Sequence, residues 1–411
     1  MASFLIFLLF SVKPLVLTPE KAIKIALENN YQLVQSMYEL ESSKLSEKKS
    51  LAGLVPIGSF SASYAKYQDN GDVFENSAYS FKIEQNLFDP TSLVQYLSSK
   101  RQVKIAELAL SSAKSDVVVN VLKSYYLVVS VQERANYLRE FTKYAEEQLK
   151  AVRAKKEVGS ATETDELRAK INLLQAKNSL KQAEIEVEQA KRNLLQLIGL
   201  SPDTDIMIDA KGIPYINVSI SLSDSLKNEV VQLQEDLKIQ LLKAENARLS
   251  YRSTLFSFLP RIYLGFERNF NRTTPSMLSD NTHTLKGIYL SLYFKFNDYP
   301  FNVKLQKKSL ELQKFYVKQT TYTILKNIDD AYDNWKKSLE SLRLARENLK
   351  LARALYRTSK ARYDVGEIST LEFFDAELKL KEANLNFIQA KYQNFVALIT
   401  LKSLLGMEVW K

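Results

Sequence analysis

The sequence predicts a mostly α-helical chain with a small β part, folded as two tandem repeats, and three observations carry this. The second half repeats the first: Val158-Gly159 falls on Val365-Gly366 and Gly199 on Gly406, a constant offset of 207 residues. Only ten Gly and nine Pro in 411 residues leave few turns, so the elements must be long. After each of two helix-stopping prolines, Pro56 and Pro260, the apolar period changes from about 3.6 to 2 residues.

Each half reads short helix, strand, loop, strand, long helix, tight turn, shorter helix. Thr18 caps a first helix with Pro19 at its first position, and the helical pattern runs to about Leu54. Pro56 ends it, because proline lacks the amide hydrogen and disfavours helix in the residue before it. The second half repeats this from about Ser223 to Phe258.

Strands are predicted at about 57–67 and 78–88, then at about 261–270 and 285–296. Phe60, Ala62 and Tyr64 alternate with serines, and Tyr79, Phe81 and Ile83 alternate with Ser80, Lys82 and Glu84. In the second half Ile262, Leu264 and Phe266 form one face, as do Ile288, Leu290, Leu292, Phe294 and Phe296. Such sheets have one apolar and one wet side. His283 reads as part of a polar loop between the last two strands.

A long helix from about Ser92 to Val158 follows, which at ~1.5 Å per residue is roughly 100 Å. Its counterpart runs from about Asn302 to Val365. Val158-Gly159 and Val365-Gly366 end them, glycine suiting the left-handed position after a helix. The return helices, about 162–198 and 370–405, carry a heptad seam. Ala169, Ala176, Ala183 and Ala190 recur every seventh residue and fall on Ala376, Ala383, Ala390 and Ala397. A small residue at each of these positions lets helix axes approach closely. The geometry closes as a hairpin of helical rods bearing a β-hairpin at one end. The domain plan is therefore a signal segment at 1–16, a first repeat at 17–200, a linker at 201–222 and a second repeat at 223–411.

Composition excludes several classes. One His and no Cys leave little for nucleophilic or metal chemistry, and no catalytic, cofactor-binding or metal motif is found. The net charge of +10 is spread as mixed Lys and Glu along helix faces, which argues against nucleic acid as a partner. The apolar run Phe4–Phe10 is too short to span a bilayer and reads as the core of a secretory signal. Four strands cannot close a barrel in lipid, where single-chain barrels start at about eight, so apolar faces that meet lipid require oligomerisation.

With these features the chain resembles the TolC family of outer-membrane efflux and secretion channels. The strongest marks are Tyr363-Asp364-Val365-Gly366 followed by Leu371-Glu372-Phe373-Phe374-Asp375-Ala376, with Asn86-Leu87-Phe88-Asp89 and the two Val-Gly tips. The resemblance implies a homotrimer with a twelve-stranded transmembrane β-barrel in the outer membrane of a Gram-negative-type bacterium, joined to a long α-helical barrel in the periplasm. It implies a periplasmic adaptor (membrane fusion) protein, an inner-membrane pump of RND, ABC or MFS type and outer-membrane lipid as partners. It also implies a periplasmic gate at Glu372 and Asp375, and tip closure or adaptor docking by Asp165, Tyr363, Val158, Gly159, Val365 and Gly366. Ile368 stands where the family's latch would use an arginine, and Asn30-Tyr31-Gln32-Leu33 lacks the family's proline.

The same tip residues fit another role. Ser369-Thr370-Leu371-Glu372 is a capping box, and Thr162-Glu163-Thr164-Asp165 is its counterpart with Asp in the last place. Capping and gating are compatible at Glu372, and Asp375 lies outside the box. The function expected is a passive exit duct of a tripartite efflux or type I secretion system, with no enzyme activity. A periplasmic adaptor would need glycine-rich β-domains around a single helical hairpin. A structural coiled coil would have no use for amphipathic β-hairpins.

Overall fold

The computed structural model describes residues 15–69, 72–209, 212–214, 218, 220–274, 282–293 and 297–407. The apolar run at residues 4–10 and the strand positions Phe294 and Phe296 lie outside them.

In the first half, β1 (Leu15–Leu17) precedes α1 (Pro19–Asn29), α2 (Tyr31–Ala52), β2 (Ile57–Asp69), β3 (Asp72–Phe88), α3 (Pro90–Glu157) and α4 (Glu163–Leu197). After β4 (Ile206–Ile208) come α5 (Asp224–Leu233), α6 (Glu235–Leu255), β5 (Arg261–Thr274), β6 (Thr282–Tyr293), α7 (Tyr299–Asp364) and α8 (Thr370–Leu404). The chain is thus mostly helical with some strands. No helix among the described residues is long and apolar enough to cross a membrane.

The single first helix expected in each half is two helices. Asn30 leaves the helical region (φ −64°, ψ 126°), and its side chain holds the break. Asn30 Oδ1 accepts from the amides of Gln32 (2.9 Å) and Leu33 (3.2 Å), while Nδ2 donates to Leu197 O at 2.7 Å. Gln234 makes the corresponding break between α5 and α6 (φ −62°, ψ 130°).

The chain forms two compact units, each drawing on both halves of the sequence. One comprises Met1–Gln35, Ser112–Leu233 and Thr323–Lys411. Here the alanine seam of α4 steps down α3 in antiparallel order. Ala183 packs with Ala135 and Leu138, Ala176 with Phe141 and Ala145, and Ala169 with Leu149 and Val152. On α8, Ala383 packs with Leu349 and Ala352 of α7. A side chain of one carbon at each step lets the facing helix fill the groove without a gap. Residues 15–17, the first two of which fall in the expected signal segment, are a strand: β1 pairs in parallel with β4, inside the expected linker. The buried Tyr125 hydroxyl secures both strands from α3, lying 3.0 Å from Leu17 O and 3.1 Å from Asp209 O.

The other unit comprises Ser36–Ser111 and Gln234–Tyr322. Its centre is one antiparallel sheet of order β2-β3-β5-β6, so the two hairpins join through β3 and β5. The strands are longer than the apolar alternation implies. β2 and β3 stay in register from Ile57↔Glu84 to Asp69↔Asp72. Polar and aromatic cross-strand pairs carry the extension: Lys66 meets Glu75 at 2.9 Å and Tyr67 stacks on Phe74 at 5.4 Å. His283 is not in a loop; β6 begins at Thr282, and His283 pairs with Asn271.

Register places Phe60, Phe81 and Arg268 in one row, and Ile83, Phe266 and Ile288 in another, on a single face. This face is exposed: Phe60 is 69% accessible, Ile288 78% and Leu290 62%. The opposite face is polar, with Lys82 bound to Glu84 at 3.2 Å and Glu84 accepting from the Tyr289 hydroxyl at 3.2 Å. Gly265 makes room for that tyrosine, since a Cβ there would lie 2.2 Å from its ring. Below the sheet Asp89 starts α3: its carboxylate accepts from Thr91 N (2.9 Å) and from the Ser92 hydroxyl (2.7 Å), and faces Arg261 at 3.6 Å.

Candidate tip and entrance

The predicted site residues gather where α3 turns into α4 and α7 into α8. Both turns have the same backbone. Gly159 (φ 75°) donates to Lys156 O at 3.0 Å and Ser160 donates to Lys155 O at 2.7 Å. Gly366 (φ 79°) donates to Tyr363 O at 3.1 Å and Glu367 to Arg362 O at 2.8 Å. These paired bonds satisfy the last helical carbonyls, and the left-handed residue is glycine for lack of a Cβ clash. Val158 and Val365, immediately before, are 76% and 70% exposed. An apolar side chain at the apex of each turn thus lacks cover within the chain.

The helices leaving these turns start with complete capping boxes. Thr162 Oγ1 accepts from Asp165 N (3.2 Å) while Thr162 N donates to Asp165 Oδ2 (3.0 Å). Ser369 and Glu372 do the same at 3.2 and 3.3 Å. The Thr162 hydroxyl and amide hold the Asp165 carboxyl below its ordinary range, with further help from Thr370 and Arg168. Thr370 is the first residue of α8, so Asp165 bridges the two turns within one chain.

Glu372 is exposed and Asp375, also exposed, meets Lys379 one turn along at 2.6 Å. The two carboxylates therefore differ: one serves its own helix terminus, the other has an ammonium partner. Tyr363 stacks on Phe373, and the Lys155 ammonium sits 4.3 Å from the Tyr363 ring centroid. Around the turns Arg153 pairs with Glu166 (2.9 Å), Lys156 with Glu166 (2.8 Å) and Glu163, and Arg362 with Glu367 (3.2 Å). Lysine and arginine on α3 and α7 thus supply the cations near the turns where Ile368 does not.

Sequence reasoning missed Glu377. It is 3% exposed, and burial pushes its carboxyl up to about 7. Position 377 follows a seam alanine and would face outward in a single seam. The off-seam apolar residues of α8 (Phe395, Leu398 and Ile399, all buried) were the available signal that this helix has a second contact.

The family model described as "Outer membrane efflux protein" matches residues 22–200 and 226–407. The chain is 22% identical over 381 residues to the "Toxin and drug export protein A" of Aggregatibacter actinomycetemcomitans, covering 90% of this chain and 82% of that one. It is 20% identical over 401 residues to the outer membrane protein TolC of Vibrio cholerae, covering 93% and 89%. Among solved structures, the CmeC outer membrane channel of Campylobacter jejuni superposes with a TM-score of 0.80 at 20% identity, over 96% of this chain and 87% of that one.

Proposed function

The chain belongs to the outer membrane efflux protein family, and we propose that it is the passive exit duct of a tripartite efflux or type I secretion system, assembled from three copies. The observation that carries this reading is the sheet. Its outer strands β2 and β6 each pair on one side only among the described residues, and its apolar face is open. In hydrocarbon an unpaired backbone group costs several kcal/mol, so such a sheet is viable there only when other copies close it. Three sheets of four strands give a twelve-stranded barrel, within the range that spans outer membranes. The helices then extend into the periplasm.

The turns form the periplasmic end. Exposed Val158 and Val365, each beside a glycine, suit docking of an adaptor that links the duct to an inner-membrane pump. Glu372 and Asp375 of three copies ring the entrance, where clustered carboxylates attract cations. Asp165 and Tyr363 hold the tip closed. An adaptor or a structural rod has no use for an open-edged sheet with an apolar face.

Membrane fractionation followed by electrophoresis without boiling tests the assembly. The expected species is in the outer membrane at about three times 47.1 kDa. A soluble monomer near 47.1 kDa would sink the reading.

A further inference from the structure

Glu377 lies on α8 two residues beyond Asp375 and five beyond Glu372, with Phe373 one turn before it. Its Oε2 accepts a long bond from Asn172 Nδ2 of α4 at 3.5 Å, and its buried Oε1 has no partner. The groups around it are few. From α3 come the phenols of Tyr137 and Tyr144, each electrostatically coupled to Glu377. Asn384 Nδ2 donates to the Tyr137 oxygen (3.3 Å) and Gln148 Nε2 to the Tyr144 oxygen (2.7 Å), and neither phenol hydrogen-bonds Glu377 Oε1. From α7 come Tyr356, edge-on to Tyr144, and Arg353, which acts on Tyr137. α4 contributes the neutral Asn172. On α8 itself Lys381 acts on Glu377 through its charge, but its ammonium sits 5.1 Å from the Phe141 ring centroid and makes no ion pair with Glu377. Burial lowers the affinity of Lys381 for its proton, against the pull of Glu382 and Glu377.

A carboxylate without a matched cation is expensive in such a place, whereas the protonated acid fits. Ionisation therefore favours either water entry between α4 and α8 or separation of the two helices. The first two turns of α8, which carry Glu372 and Asp375, move with that packing.

We propose that Glu377 is a positioning residue for the entrance: protonated, it lets α8 pack against α4 and holds the tip tight, and ionised, it loosens that contact. This rests on reading Glu372 and Asp375 as the entrance. Burial raises the carboxyl to about 7, so the change falls within the periplasmic pH range. The chain has a single His, at position 283 in the sheet.

The test is single-channel conductance of the wild-type trimer, E377Q and E377D in planar bilayers between about pH 5.5 and 8.5. Wild type is expected to rise about twofold or more across a midpoint near 7. E377Q, which keeps the volume and cannot ionise, should stay at the acidic level throughout. E377D should keep a pH step, as restoration of a titrating group requires. A step in E377Q with the wild-type midpoint, no step in wild type, or an E377Q too unstable to assemble would each overturn the proposal. The last counts because removing a buried charge is expected to stabilise the tip. Block by multivalent cations, measured in the same channels at about pH 6, tests the entrance reading apart from this one. Absence of block in wild type would sink the entrance reading, whereas block without a pH step would sink this proposal alone.

Discussion

Tyr363 lies flat on Phe373, with ring centroids 4.7 Å apart and planes 8° from parallel. Phe373 is 1% exposed and also touches Tyr356 and Phe374, so this stack ties the last turn of α7 to the first of α8. Phe373→Ala should cost about 3–5 kcal/mol of stability, as for other buried phenylalanines. Tyr363→Phe keeps the ring and its contact with Lys155, so thermal unfolding should be unchanged. If the hydroxyl nonetheless latches the closed tip across copies, Tyr363→Phe raises basal conductance without lowering the melting temperature. Unfolding and conductance together separate packing from latching.

The equivalent glycines at the 207-residue offset should respond unequally. Gly199 (φ 77°) and Gly406 (φ 67°) both follow a return helix. A Cβ on Gly199 would meet Asn29 O at 2.2 Å, whereas on Gly406 it meets nothing within 4 Å. Gly406→Ala should cost about 1–2 kcal/mol, the ordinary penalty of a left-handed non-glycine residue. Gly199→Ala must also displace the end of α1, and should unfold at clearly lower denaturant than Gly406→Ala. Equal midpoints would show that α1 moves aside freely.

The same contact explains what could and could not be read in the sequence. The seam was legible because Ala169, Ala176 and Ala183 bury at a fixed spacing against one partner helix, and periodicity reports a single partner well. Periodicity is blind to a break of one residue. Asn30 interrupts a helix without disturbing the apolar phase on either side, and its hydrogen bond to Leu197 O spans 167 positions. The joining of the two hairpins through β3 and β5 is likewise long-range and leaves no local mark. Glu377 was hidden for a related reason: α8 packs on α7 through its seam and meets Asn172 of α4 on another side. At the tip, the capping boxes were written in the sequence; so was the i,i+4 spacing of Asp375 and Lys379, and the structure adds the distance between them.

Asp165 gives a pH-dependent stability of ordinary sign. Hydrogen bonds from Thr162 hold its folded pKa below the unfolded value, so its contribution is present above the ordinary carboxylate range. It is lost as pH falls through the lowered folded value. Asp165→Ala should therefore cost about 1 kcal/mol at neutral pH, the usual worth of a capping interaction. The gap between variant and wild type in chemical unfolding should close in strong acid. A gap that persists there would mean that the loss is one of packing and not of charge.

The two carboxylates proposed for the entrance, Glu372 and Asp375, should not be equivalent. Asp375 has Lys379 at 2.6 Å, and each group is about half exposed, so the pair is screened and weak. Its ammonium still offsets the charge that Asp375 would show a passing cation. Glu372 has no cationic partner in the same turn and spends part of its charge on the Ser369 amide at 3.3 Å. Glu372→Ala with Asp375→Ala should weaken block of single-channel current by multivalent cations. Lys379→Ala should do the reverse, strengthening block while Asp375 is present and changing nothing in the Asp375→Ala background. That dependence is the informative result: an effect of Lys379→Ala that survives loss of Asp375 would place the lysine in the current path in its own right. Block unchanged in the double carboxylate variant would remove Glu372 and Asp375 from the pore.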